Sequence, residues 1–241
     1  MIDALLVRPP AAFHMSSVLK KKLEVLGLGY LAAVLRRNGY RVEILDAYSK
    51  GLDVQGTVAE IEKRWFKLLG FSVWFQMLLP GTLKIIEALR SHGVMAHITL
   101  GGHYPTFAYK EILNEASGIN TIVVGEGEYT LLELMEKVGA PTRWKNIAGL
   151  ALREGKKVII TPPRPLIKDL DSLPWPDRDT LPDVLKEGGA LSVCSSRGCY
   201  GRCAFCSINS FYRLQPGVIW RARSPGNVVD EIEALVEQWR V

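Results

Sequence analysis

The chain has no apolar run approaching the roughly 18–20 residues needed to cross a bilayer. Its opening residues, Met1-Ile2-Asp3-Ala4-Leu5-Leu6-Val7-Arg8, lack the basic region and long apolar core of a signal peptide. They read as a first strand, and the expectation is a cytoplasmic protein with no membrane partner. No run of six basic residues occurs, and the densest cluster, Lys20-Lys21-Lys22, reads as solvated surface. The formal net charge of +5 suits an anionic cofactor or substrate and gives no ground for nucleic-acid binding. Cysteine is scarce: there are four, three of them within eight residues, where a disulfide framework would spread them out. A metal site is the better reading. No internal repeat or low-complexity tract is present. What remains is an ordinary globular composition, 48% apolar and 23% charged, in 241 residues, enough for one large or two small domains.

Short apolar runs alternate with amphipathic stretches over residues 1–140. The pattern predicts strands at 4–7, 41–45, 68–74, 96–100 and 121–124, and helices at about 28–38, 53–65, 81–91, 106–115 and 129–137. Such alternation predicts an α/β domain, a Rossmann-like parallel sheet with helices on both faces. Ligands in these sheets bind at the carboxyl ends of the strands. Those positions hold Arg8-Pro9-Pro10, Ser72-Val73-Trp74, Gly101-Gly102-His103-Tyr104-Pro105 and Gly125-Glu126-Gly127-Glu128. Residues 141–187 change character. Apolar runs at 147–153 and 157–161 flank Glu154-Gly155-Lys156 as a β-hairpin, and six prolines between Pro162 and Pro182 mark an extended linker. Residues 188–241 hold a strand at 190–194, the cysteine loop and a last helix. That helix starts at Ser224 as N-cap with Pro225 in its first turn, and buries a stripe of Val228, Val229, Ile232, Leu235 and Val236.

Cys199, Cys203 and Cys206 stand at spacings of four and three, so three thiolates can converge from one short loop. Four ligands would saturate a tetrahedral zinc or every iron of a cubane, whereas three leave one iron of a [4Fe–4S] cluster open. Gly198 and Gly201 let the backbone turn tightly around such a group. Structural zinc, or plain buried thiols, is the alternative. Cys194 lies outside the spacing and reads as a small core residue.

The segment Arg197-Gly198-Cys199-Tyr200-Gly201-Arg202-Cys203-Ala204-Phe205-Cys206 resembles the cluster loop of radical SAM enzymes, and the likeness continues through Trp220-Arg221-Ala222-Arg223-Ser224-Pro225. The resemblance implies that Cys199, Cys203 and Cys206 hold a [4Fe–4S] cluster. It implies that the open iron chelates S-adenosylmethionine, with Phe205 near the adenine, and that reductive cleavage yields a 5′-deoxyadenosyl radical. The start of a (β/α) barrel, left incomplete, is then expected over residues 188–241. No acid, base or nucleophile beyond the cluster is assigned.

A Rossmann-like domain ahead of such a loop resembles the cobalamin-binding branch of that family. The resemblance places Arg8, Pro9, Ser72, Trp74, Gly101, Gly102, His103, Gly125, Glu126 and Gly127 against cobalamin. Glycines would let the backbone lie flat against the corrin, while the nucleotide tail slips between strand ends and helices. The Asp-x-His-x-x-Gly motif that supplies histidine to cobalt is missing, and none of His14, His92, His97 and His103 has that context. Cobalamin would sit with its base off the metal and no histidine below it, and His103 either touches the corrin or serves as a cap. Glu128 reads as a helix-start carboxylate favoured by the dipole, and Glu126 as a cofactor contact. Gly27-x-Gly29-x-x-Ala32 matches a relaxed dinucleotide fingerprint, but it stands nearly twenty residues from the first strand, so its glycines read as helix–sheet packing.

The strands that normally follow the first barrel helix are absent, so the chain reads as a fragment, a shortened form or one half of a split enzyme. The favoured activity is methyl transfer to an unactivated centre of a small-molecule substrate, with rearrangement or cyclisation as other chemistries of the branch. An electron donor such as flavodoxin or ferredoxin, and the missing carboxyl-terminal half, are the expected partners. The rival readings are a cobalamin and cluster-binding module without turnover, and a zinc-stabilised structural or regulatory protein.

Overall fold

The computed structural model describes residues 1–10 and 23–240. The lysine cluster 20–22, His14 and the loop expected after the first strand lie wholly or largely outside them. The elements, in chain order, are β1 (Ala4–Arg8), α1 (Leu26–Arg37), β2 (Val42–Asp46), α2 (Val54–Glu62), β3 (Leu68–Ser72), α3 (Leu79–Ser91), β4 (His97–Gly101), α4 (His103–Glu115), β5 (Thr121–Val123) and α5 (Glu128–Glu136). Then follow β6 (Leu150–Glu154), β7 (Lys157–Ile160), α6 (Leu181–Lys186), β8 (Ser196–Arg197), α7 (Ile208–Arg213), β9 (Arg221–Ala222) and α8 (Pro225–Trp239). Among the described residues no helix is long and apolar enough to cross a membrane.

The main sheet runs β2-β1-β3-β4-β5-β6-β7, with its first five strands parallel. Both faces are covered, so alternate residues of each strand are buried on opposite sides. Leu5, Val7, Leu69, Phe71 and Ile98 pack with α2, α3 and α4. Ala4, Leu6, Leu68 and Val123 face α1 and α5. The strand order turns back between β1 and β3, which makes their carboxyl ends the natural mouth for a ligand.

Several expectations are corrected. The sheet is mixed, not wholly parallel, because the hairpin β6–β7 adds to the edge of β5 in antiparallel register, Ile122 opposite Ala151. The outer edge of β5 would otherwise leave a row of backbone groups unpaired. The boundary expected at residue 140 therefore falls inside one continuous sheet. Helix α4 starts three residues earlier than expected, since Gly102, at φ 104°, turns the chain where any Cβ would come within 2.8 Å of the Val73 carbonyl oxygen. Gly29 serves the linker and not the sheet: the Asp177 N–H bonds the Gly29 carbonyl at 3.1 Å, and a Cβ there would lie 2.5 Å from the Asp177 oxygen.

Residues 190–194 form no strand beyond a bridge of Ala190 with Leu23. Side chains satisfy this backbone instead. Ser192 donates its N–H to Glu24 and accepts from Arg178, and the Cys194 carbonyl accepts from Arg223. With β8 and β9 only a two-residue antiparallel ladder, no barrel segment is formed among the described residues. Ser224 does cap α8, accepting from the Asn227 N–H at 3.2 Å. The expected buried stripe turns inward only in part: Leu235 is buried and Val228 half-buried. Val229, Ile232 and Val236 are 50%, 43% and 47% exposed, while Glu231 is buried beside Leu235. The reason is an ion cluster: Arg178 bridges Glu24 at 2.7 Å and Glu231 at 2.6 Å, and Arg223 also grips Glu231. Orienting Glu231 inward turns the Val229, Ile232 and Val236 side of the helix outward.

Candidate functional site

A cavity of about 820 Å³ opens at the carboxyl ends of β3, β4 and β5. It continues as a slot between the sheet and the α1/α5 layer, with Leu6, Gly70 and Thr99 on the sheet side and Leu28, Leu31 and Leu131 on the helix side. Strand register makes the slot. Leu6, Gly70, Thr99 and Thr121 are successive cross-strand partners, so one row carries a glycine and two threonines where bulky residues would fill the layer. A largely apolar slot joined to a glycine-edged mouth fits a broad flat ligand with a narrow tail.

Of the residues expected at the site, Ser72, Trp74, Gly101, Gly102, His103, Gly125, Glu126 and Gly127 all line the cavity. Arg8 and Pro9 do not. Arg8 pairs with Asp46 at 3.3 Å and lies over the Tyr48 ring at 4.3 Å. The slot residues Gly70, Thr99, Leu31 and Leu131 were missed, because each sits mid-element in a run that reads as plain core. Comparing β1, β3 and β4 in register was the signal that could have found them.

Glu126, Glu128 and His103 are polar groups at the mouth. The Glu126 carboxylate is buried and accepts four hydrogen bonds: from Arg221 at 2.9 and 3.0 Å, from Arg197 at 3.3 Å and from the Ile167 N–H at 2.8 Å. Burial opposes its ionisation, but the Arg221 hydrogen bonds and the Arg197 charge outweigh this and hold its pKa below the ordinary carboxylate value. Its oxygens are engaged within the protein. Glu128 opens α5, as expected, and is held by Arg197 at 2.6 Å. His103 stacks on Phe211 with ring centres 4.2 Å apart, and its Nε2 is buried with no hydrogen-bond partner. Burial lowers its pKa below the ordinary histidine value.

The other described histidines serve elsewhere. His92 pairs with Glu62 at 2.6 Å. His97 lies at the opposite end of β4, bonded through Nε2 to Thr121 Oγ1 at 2.8 Å, and burial, helped by Arg90, lowers its pKa to about 3. The unfolded chain binds a proton at this side chain below about pH 6.5 while the folded chain does not, so stability falls as pH drops from there toward 3. Between pH 7 and pH 5 this site is expected to remove about 2 kcal/mol. Urea unfolding at the two pH values checks it, with His97→Gln expected to flatten that part of the dependence.

The cysteine loop borders the same cavity. Cys199 lines it; Cys199 and Cys203 are exposed and Cys206 is half-buried. The Gly201 N–H points at Cys199 Sγ at 3.3 Å, and a Cβ at position 201 would lie within 4 Å of both the Cys199 and Cys203 sulfurs. Gly198, at φ 81°, runs so close to Ile219 that any Cβ would overlap its carbonyl oxygen. Among the described residues no three Cys, His, Asp or Glu side chains come near enough to share a single metal ion. Of the three thiols in the expected spacing, only Cys199 borders the cavity. Phe205 is almost fully exposed and does not line the cavity. Cys194 lines it, with its thiol donating to the Ser196 carbonyl at 3.2 Å.

A family model described as the B12 binding domain matches residues 15–135. An uncharacterized methyltransferase of Pyrococcus horikoshii is 32% identical over 98% of this chain and 50% of its own length. The anaerobic magnesium-protoporphyrin IX monomethyl ester cyclase of a Synechocystis species is 30% identical over 95% of this chain and 46% of its own. The chain thus spans about half the length of these curated relatives. Among solved structures, the cobalamin-dependent S-adenosylmethionine radical enzyme OxsB, with aqua-cobalamin and S-adenosylmethionine bound, shares the fold. Its TM-score is 0.82 at 22% identity, covering 98% of this chain and 32% of that one. The radical S-adenosylmethionine methyltransferase TsrM from Kitasatospora setae, with cobalamin and a [4Fe–4S] cluster bound, aligns at TM-score 0.77 and 22% identity over 99% of this chain and 46% of that one.

Proposed function

Because this chain belongs to the B12-binding domain family of cobalamin-dependent radical SAM enzymes, we propose that its cavity holds cobalamin, and that it works within a longer enzyme whose favoured reaction is methyl transfer to an unactivated centre. The single observation that carries the reading is the slot under Gly70 opening into the glycine-edged mouth.

In this reading the Gly101-Gly102 and Gly125–Gly127 turns lie against the corrin edge, and Leu6, Gly70, Thr99, Leu28, Leu31 and Leu131 enclose the nucleotide tail. Trp74 and Phe75 help shield the cavity from water. Bound cobalamin supplies a metal-centred carrier for a methyl group. Cys199, Cys203 and Cys206 are the residues that would hold a [4Fe–4S] cluster able to bind S-adenosylmethionine, with Phe205 beside it. A small reductant such as flavodoxin or ferredoxin supplies the electron. A second reading, a cobalamin- and cluster-binding module without turnover, is supported by the match of residues 15–135 to the B12 binding domain.

Titration with hydroxocobalamin, followed by desalting and absorbance, tests the first claim; a protein left colourless contradicts it. Anaerobic reconstitution with iron and sulfide tests the second. The reduced protein is expected to give a [4Fe–4S]⁺ EPR signal, and Cys199→Ala, Cys203→Ala and Cys206→Ala each to abolish it, because a cluster with only two protein thiolates lacks its third anchor. A signal that shifts on adding S-adenosylmethionine supports the enzyme reading. A signal that does not shift supports the binding module, and retained zinc without iron overturns both.

A further inference from the structure

The Gly125–Glu128 turn is clamped from the cysteine-bearing segment. Arg221 grips both oxygens of Glu126 and also donates to the Ile167 carbonyl at 2.8 Å. Arg197 spans Glu126 and Glu128, and its guanidinium lies 4.9 Å from the centre of the Tyr30 ring. Gln215 accepts from the Glu126 N–H at 2.9 Å and donates to the Arg164 carbonyl at 3.0 Å. It sits so close over Gly125 that a Cβ there would be 2.3 Å from its side chain. Arg197 and Arg221 are also paired through the short β8–β9 ladder.

These anchors flank the cysteine loop on both sides. Arg197 stands two residues before Cys199, and Gln215 and Arg221 follow Cys206. Arg197, Glu126, Glu128 and Cys199 line the cavity, whereas Arg221, Cys203 and Cys206 do not. A buried ion cluster moves as a unit, since parting one member leaves an uncompensated charge.

We propose that Arg197 and Arg221 are positioning residues that make the placement of the cysteine loop depend on occupancy of the cavity. A ligand seated against the Gly125–Glu128 turn stiffens the clamp, and the clamp stiffens the loop. The coupling is reciprocal: an ordered loop tightens ligand binding by the same factor. The proposal rests on the cobalamin reading above.

The test uses the full chain with cyanocobalamin, which is inert to thiols, and follows iodoacetamide alkylation of Cys203 and Cys206 by mass spectrometry. Because neither residue lines the cavity, direct shielding by the ligand does not account for their protection. Saturating cyanocobalamin is expected to slow both about fivefold or more. Arg221→Lys keeps the charge but loses the two-pronged grip, and is expected to retain cyanocobalamin while losing most of that protection. Where circular dichroism shows that this variant does not fold, Gln215→Leu replaces it, and protection is expected to fall by at least half. Equal protection in variant and parent, or no protection in a parent that retains cyanocobalamin, overturns the proposal. A parent that retains no cyanocobalamin overturns the cobalamin reading itself and this proposal with it.

Discussion

Gly70→Val is expected to weaken cobalamin binding about a hundredfold, close to 3 kcal/mol, while leaving the fold intact. The residue lies in mid-strand, where valine is a good β-former. Its Cβ would meet the tip of the Leu6 side chain at 3.1 Å and the Thr99 methyl at 3.7 Å. Both can shift a few tenths of an ångström, so the cost to the folded protein is small. The remaining atoms of valine project into the slot between the sheet and Leu28, Leu31 and Leu131, which is the space assigned to the nucleotide tail. Gly70→Ala fills less of it and should fall between the two. The measurement is cobalamin retained after desalting, alongside circular dichroism. An unchanged affinity in Gly70→Val would place the tail elsewhere and remove the main support for the assignment.

Arg178→Met is expected to lower unfolding stability by about 3–5 kcal/mol, the usual cost of leaving buried carboxylates without their partner. Arg178 is buried between Glu24 and Glu231, and also donates to the Ser192 carbonyl at 2.8 Å. Its loss strands Glu24 beside the Ser192 N–H and leaves Glu231 to Arg223 alone. Such a loss is a large share of the roughly 5–15 kcal/mol that holds a typical domain together. Urea unfolding followed by tryptophan fluorescence reads it. Because this cluster ties α8 and residues 191–194 to the linker, the variant should also loosen α8 ahead of the main sheet, seen as faster amide exchange over residues 225–239. A shift below about 1 kcal/mol would mean that water reaches the pair and screens it.

How much of this was legible beforehand depended on the range of the signal. The strand–helix alternation, the Ser224 cap and the glycine-rich turns at 101–102 and 125–127 follow from residues within a few positions of one another. The structure places all of them near where periodicity and turn chemistry put them. The spacing of Cys199, Cys203 and Cys206 is equally local. Glu126 was read as a cofactor contact because its neighbours are glycines at a strand end. It does line the cavity, but its hydrogen-bond partners Arg197 and Arg221 lie 71 and 95 residues away and carry no local sign of the pairing.

The stripe on α8 shows the same limit from the other side. Helical periodicity marked Val229, Ile232 and Val236 as a face to be buried, but it could not rank them against Glu231, whose two arginines arrive from residues 178 and 223. The sequence by itself determined the strand–helix order of residues 1–140, the Ser224 cap and the spacing of the three thiols, because hydrophobic period and capping act between near neighbours. Only the tertiary structure decided that β6 and β7 complete the sheet, that Gly70 and Thr99 stand side by side to open a slot, and which buried charges meet. Strand register and buried ion pairing join residues tens of positions apart, and each is settled by which partners the folded sheet brings within reach.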